Sequence, residues 1–390
     1  MPLDDPRLSK AARLSAASVL NVLLALPAGC LDEGPAPPVV TSAAPLPALS
    51  AAFRSRDGWT GADGAYSIPL DSQRTLWLFG DTFVGKIRGG RRRDTTMIHN
   101  SAAWQDTGGP DRPARFFYGS RSGEAADLLA CRQQGSWYWP CDGVLVDGRL
   151  FLFCMVVKED PGMAEPFQFK VARHDLLVIE NPQDEPPGWR ITTVYLPHAE
   201  RISYGVSCLL DKEYLYAFSS YPPAAEPTLK HPLVLCRIRL DRLSALDMSA
   251  WEYWSADPEG GTTGGRWSRS PDRAAVLFRD AAPEMTVRPA GGISGYLACY
   301  MEPNFGGRIL LRRALRPEGP WSEPVVAYSC PERRKGILLY SAKAHPELVR
   351  RPGEVVITYC RNLAGSLKAQ LEQPFVYFPQ FVRICLKDRR

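Results

Sequence analysis

The chain contains 10 cysteines, yet no Cys-x-x-Cys pair and no Cys/His spacing suited to zinc. A structural zinc site is therefore excluded as the organising feature. No segment sustains a helical period, so a helix bundle is excluded as well. The most apolar run, Leu14 to Leu26, is too short and too interrupted to span a bilayer, and no other segment could. The formal charge of +5 comes with no nucleic-acid recognition motif. Its basic residues sit mainly in Arg88 to Arg93 and in the last few positions. A solvated basic loop is the simpler reading, and no nucleic-acid partner is expected.

Turn-forming and ring-bearing residues are abundant: 35 Pro, 32 Gly, 10 Trp, 15 Tyr and 15 Phe. That mixture suits many short strands joined by turns. One pattern recurs. Trp59-Thr-Gly-Ala-Asp63-Gly-Ala-Tyr-Ser-Ile-Pro-Leu is followed by a turn and Thr75-Leu-Trp-Leu-Phe-Gly-Asp81-Thr-Phe. It returns as Trp139-Pro-Cys-Asp142-Gly-Val-Leu-Val-Asp-Gly-Arg-Leu-Phe-Leu-Phe. Each copy reads as a hairpin headed by an acid and a glycine. Further hairpins begin at Ser203, Glu284 and Ser341 and return at Glu213, Gly295 and Glu354. Third strands are expected at Phe167 to Arg173, Leu233 to Leu240 and Gly307 to Ala314, each before a Trp-bearing turn. Those tryptophans are expected to pack between neighbouring units. Hairpins repeated in this way close radially, so the fold expected is all-β, a single five-bladed β-propeller over residues 49–390.

The first 30 residues read as a signal peptide: Arg7, Lys10 and Arg13, then the apolar run, then small residues up to Cys30. Ala28-Gly29-Cys30 resembles the end of a lipoprotein cleavage site, although Pro27 stands where Leu is expected. Export is expected, with Cys30 as a lipid anchor or the protein secreted. Residues 31–48, rich in Pro and Ala, read as an extended tether. Cys154, Cys208, Cys236, Cys299, Cys360 and Cys385 fall in apolar runs and read as small buried hydrophobes. Cys131 and Cys141 are placed to form a local disulfide.

In a propeller the heads of the inner strands meet at the axis. Those heads are Asp63, Asp142, Tyr204, Glu284 and the pair Lys343/His345. Antiparallel pairing returns Asp81 beside Asp63. Acids that converge on one pocket are what cleavage of a glycosidic bond requires. One must be protonated, one ionised, and a third acid nearby raises the donor's pKa. Asp63 is read as base or nucleophile, Glu284 as general acid, and Asp81 or Asp142 as modulator. Asn100, Trp139, Tyr204 and His345 are read as substrate-binding, with Trp137 and Tyr138 also candidates for stacking on sugar. The plainer alternatives stay open: Asp-Gly is a common turn dipeptide, and His345 before Pro suits a structural role.

Several strings resemble a known family. Gly61-Ala-Asp63-Gly-Ala-Tyr-Ser, Leu76-Trp-Leu-Phe-Gly-Asp81-Thr-Phe-Val-Gly and His99-Asn100-Ser are similar to the N-terminal blade of a bacterial family long described as an uncharacterised domain. Its members are identified as endo-D-arabinanases, five-bladed glycoside hydrolases acting on mycobacterial cell-wall D-arabinan. Glu318-Gly-Pro-Trp321-Ser, Ala342-Lys-Ala-His345-Pro-Glu-Leu and Tyr377-Phe-Pro-Gln-Phe-Val-Arg are also similar to relatives of this type. The resemblance implies catalytic roles for Asp63 and Asp81, and the three-acid pattern of five-bladed glycosidases implies one for Glu284. The third blade departs from it, with Tyr204-Gly205 in place of an acid.

The function expected is hydrolysis of a furanose-containing polysaccharide, D-arabinan first, by a monomer. The chemistry needs no cofactor, and an axial calcium is what some related propellers add. Two rivals remain: a non-catalytic glycan-binding propeller and a protein-interaction scaffold.

Overall fold

A computed structural model describes residues 34–106, 112–163, 167–221, 231–256, 265–365 and 367–388. The expected signal peptide and Cys30 lie outside the described residues. Five antiparallel sheets make five blades around an axis. Blade 1 runs outward from Asp57–Pro69 through Arg74–Arg88 and Ser101–Asp106 to Arg115–Phe117. Blade 2 is Ser136–Val146, Arg149–Glu159, Phe169–Ile179 and Ile191–Tyr195. Blade 3 begins with Ser203–Asp211, Tyr214–Ser220 and His231–Arg239, then Glu252–Ala256. Blade 4 is Met285–Ala290, Ile293–Met301, Arg308–Ala314 and Val325–Ser329. The all-β propeller expected from the hairpins is the fold found.

Blade 5 is built from both ends of the chain. Its inner strands are Ile337–Ala344, Glu354–Leu363 and Gln380–Lys387, and its outermost strand is Val39–Pro45, paired antiparallel to Gln380–Lys387. This corrects the reading of 31–48 as a tether for the stretch Val39–Pro45; residues 31–33 lie outside the described residues. The Pro- and Ala-rich segment lacks strand-like alternation, but an outermost strand has one free edge and tolerates such residues. The helix Pro47–Ala52 follows and carries the chain under blade 1. There Phe53 is fully buried, with its ring 4.8 Å from Trp77 and 5.2 Å from Phe381.

The core is divided rather than central. Five apolar clusters each lie between two neighbouring blades. Blade-facing strands are apolar on both sides because each sheet is covered on both faces. Trp189 lies in the cluster between blades 1 and 2, and Trp251 in that between blades 2 and 3. Trp254 and Trp321 pack against the cluster between blades 3 and 4. These tryptophans pack between blades, as expected. With the apolar residues spent between blades, the polar residues of the inner strands are left at the axis.

Candidate active site

The site begins with a distorted strand. Pairing between Asp57–Pro69 and Arg74–Arg88 slips between Trp59 and Gly61, between Ala62 and Gly64, and between Gly64 and Tyr66. Successive bulges re-aim side chains that regular pleating would alternate. Gly64 (φ +86°) and Ala65 (φ +56°) take the left-handed backbone that this requires. Asp63 is thereby directed over Gly80, where an added Cβ would stand 2.6 Å from its Oδ1. Glycine at 80 is what lets the Asp63 carboxylate lie beside Asp81, so the two acids are neighbours as antiparallel pairing predicted.

Each acid is held by different donors. Tyr340 of blade 5 donates its hydroxyl to Asp63 Oδ2 at 2.7 Å, and Tyr377 also hydrogen-bonds the carboxylate. Burial, then the charges of Asp81 and Glu284, push the Asp63 pKa up to about 7 against the opposing pull of the two tyrosines. Asp81 Oδ1 accepts from Trp139 Nε1 at 2.8 Å and lies 3.1 Å from His99 Nδ1. Burial lowers the His99 pKa, but the hydrogen bond and charge of Asp81, with Asp127 and Glu159, leave it above the ordinary value. Glu284, just before the first strand of blade 4, accepts at Oε1 from Lys343 Nζ and Ser341 Oγ, each at 2.9 Å. Lys343 is fully buried, lies 4.1 Å from the Tyr66 ring centroid and donates to the Gly64 carbonyl at 2.7 Å. It ties Glu284 to the bulge that carries Asp63. The side chains of Asp81 and Glu284 keep 24% and 25% exposure, so both are open to a ligand.

Four expected site residues are corrected. Asp142 has no exposed surface and pairs with Arg288 at 2.7 Å. It also accepts from the backbone N–H groups of Gly143 and Cys208 and from Ser207 Oγ. With those donors it pins blades 2, 3 and 4 together and offers no oxygen to a substrate. Asn100 is buried, and its amide is spent on the carbonyls of Leu129 and Tyr138 and the N–H of Leu129. Tyr204 lies in the core between blades 2 and 3, its hydroxyl on Pro197 O at 2.8 Å. His345 is buried between the hydroxyls of Ser67 (2.6 Å) and Thr358 (2.7 Å). Blade 5 starts at Ile337, not Ser341, so Tyr340 takes the position expected of His345. Cys131 and Cys141 are free thiols, so the local disulfide is also corrected.

The expected axial calcium would take six to eight oxygens, waters included. Here Asp142, Glu284 and the Gly64 carbonyl are already bonded to the cations Arg288 and Lys343.

Aromatic rings border the acids. His99 stacks on Trp137 at 4.3 Å, and Trp137 lies 6.3 Å from Trp139. Of the expected binding residues, Trp139 stands at the acids through its bond to Asp81 and Trp137 lies beside them through His99, whereas Tyr138 is buried with its hydroxyl on Asp175. Lys343 and Glu284 were both expected at the axis, but their pairing was not foreseen, nor were Tyr340 and Tyr377 as donors to Asp63. The acid-free head of blade 5 was the available signal: a pocket with three carboxylates needs donors from somewhere.

Residues 48–386 match the family model described as a domain of unknown function, DUF5005. No curated protein matches the sequence. Among solved structures, a proposed hydrolase of Bacteroides ovatus ATCC 8483 is similar, with TM-score 0.69 and 19% identity over 88% of this chain and 90% of that one. It supports the fold. The GH43 BlXynB protein of Bacillus licheniformis gives TM-score 0.43 and 12% identity over 83% of this chain and 51% of that one. The α-L-arabinanase of Cellvibrio cellulosa gives TM-score 0.40 and 11% identity over 82% of this chain and 90% of that one.

Proposed function

The chain belongs to the DUF5005 family, and from that premise and its grouped acids we propose that it is a glycoside hydrolase acting at the propeller axis. One observation carries this reading: three carboxylates, Asp63, Asp81 and Glu284, converge at the axis, where burial and the charges of the other two push the Asp63 pKa up to about 7. A carboxylic acid protonated at working pH is what a leaving glycosidic oxygen needs.

The roles are best drawn in a different order from the one the sequence suggests. Asp63 is the general acid and gives its proton to the leaving oxygen as the C–O bond breaks. Glu284 comes from blade 4, two blades from Asp63 around the ring, and is the ionised partner. It takes the proton of the attacking water or bonds to the anomeric carbon. Asp81 is the modulator, since its charge contributes most after burial to holding the proton on Asp63. Trp139 offers a ring face for a sugar and fixes Asp81 through its N–H. The substrate class is a furanose-containing polysaccharide, with D-arabinan first because of the motifs around Asp63 and Asp81.

The test is product release from D- and L-arabinans, xylan and fructan by the wild type, Asp63→Asn, Asp81→Asn and Glu284→Gln. Hydrolysis of one arabinan, lost in Asp63→Asn and Glu284→Gln with folding intact, supports the reading. Glycan binding with no products from any of the glycans, and unchanged in the variants, refutes it in favour of a binding propeller.

A further inference from the structure

The rim around the acids is closed on one side by a contact between blades that are not neighbours. Phe167 precedes the third strand of blade 2, and Phe305 lies between the second and third strands of blade 4. Both segments are at the end of the propeller that bears the acids. Their rings stack at 5.9 Å with 14° between planes, across the sector of blade 3. The contact continues in both directions. Phe167 meets Phe169, which packs edge-on against Trp139 at 4.7 Å. On the other side Phe305 meets Tyr340 at 6.1 Å, and Tyr340 is the donor to Asp63.

Phe305 is held there at a conformational cost. It and Asn304 both have left-handed backbone, at φ +57° and +60°. Asn tolerates that region, but a bulky residue such as Phe adopts it rarely and at a cost. The turn is braced by Arg308 on Glu302 and by the Gly306 N–H on the Glu302 carbonyl. An added Cβ at Gly306 would meet the Glu302 side chain, so the turn packs closely on its brace. A strained turn that aims one aromatic ring across the mouth of a site is unlike a loop that merely connects two strands.

A polysaccharide bound through its middle must leave an active site on two sides. On the blade 3 side its path would meet the stacked rings, of which Phe167 is 38% exposed. We propose that Phe167 and Phe305 form a barrier that limits the site to the end of a glycan chain, so that short saccharides are released from chain ends, in place of the endo action that the family resemblance implies. Removing either ring opens a groove and admits internal segments. The catalytic part of this proposal rests on the hydrolase reading; the binding part does not.

The test compares the wild type with Phe167→Ala, Phe305→Ala and Phe167→Tyr. On a polymeric arabinan at low conversion, the wild type and Phe167→Tyr should release only the shortest products. Both alanine variants should release longer oligosaccharides. A ladder of lengths from the wild type, or the same product lengths from all four proteins, overturns the proposal. A second measurement is quenching of tryptophan fluorescence by an arabino-oligosaccharide and by the same glycan with blocked chain ends. The wild type should respond only to free ends, and the alanine variants to both. Equal wild-type affinity for blocked and free chains overturns the proposal even where no hydrolysis occurs, a result that would separately remove the hydrolase reading.

Discussion

Asp63 binds its proton more tightly in the folded chain than an ordinary aspartic acid does, and this has consequences for both rate and stability. Its folded pKa, about 7, stands above the usual 3.8. Between those values the folded state holds a proton that the unfolded state has released, so this group makes stability fall as pH rises through that window. Below about 4 both states are protonated and the effect vanishes. The penalty is complete above pH 7. Asp63→Asn removes it. The variant should therefore resist urea better than the wild type at pH 8, with the gain shrinking as pH falls towards 4. Hydrolysis by the wild type should decline as pH rises through about 7, as the acid loses its proton. Asp142 predicts the opposite kind of result. Asp142→Ala leaves Arg288 buried without its carboxylate and should cost about 3–5 kcal/mol in urea unfolding. The grouping of Asp63, Asp81 and Glu284 at the axis was legible in the sequence, because Asp63 and Glu284 were read at inner-strand heads and antiparallel pairing returns Asp81 beside Asp63. Asp142 has the same local pattern, but its partner Arg288 is 146 residues away and no spacing reveals it.

The bulged strand of blade 1 is the element that turns a β-hairpin into a site. Its glycines act in different ways. Gly61 faces the Tyr377 carbonyl, which an added Cβ would meet at 2.1 Å, so it permits close packing of the C-terminal segment. Gly80 instead leaves space for Asp63 Oδ1. Gly80→Ala should therefore displace a side chain rather than a backbone. We expect activity to fall sharply while the unfolding free energy changes by less than about 1 kcal/mol, measured on one preparation by hydrolysis and urea titration. The sequence revealed the hairpin and its turn but not the three slips in register. Bulges depend on the partner strand, and a period-2 pattern carries no record of them. The start of blade 5 was misplaced for a related reason. Its register slips between Tyr340 and Lys343, so Tyr340 stood outside the expected strand and its hydroxyl was overlooked.

At the scale of the whole molecule, stability comes from five interfaces between blades, and the last of these is closed by a strand from the opposite end of the chain. Val39–Pro45 pairs with Gln380–Lys387 and fastens the ring. A chain beginning at residue 46 should unfold at lower urea concentration than one beginning at Gly34, because blade 5 loses its outer strand. If the two unfold alike, the pairing contributes nothing to closure. The blade count was readable from hairpins at regular intervals; the closing strand was not, since Val39-Val-Thr-Ser-Ala-Ala-Pro45 has the composition of a linker. Closure also brings donors from blade 5 to acids on blades 1 and 4, so the ring and the site depend on the same arrangement.

The central claim is that Asp63 protonates the leaving oxygen, and leaving-group dependence tests it most directly. Asp63→Asn and wild type would be compared on an arabinan and on an aryl arabinofuranoside whose nitrophenolate leaves without help. The account predicts a loss of about 10²- to 10⁴-fold on the arabinan and little loss on the activated substrate. Equal losses on both substrates would contradict it and return Asp63 to the role of nucleophile or base.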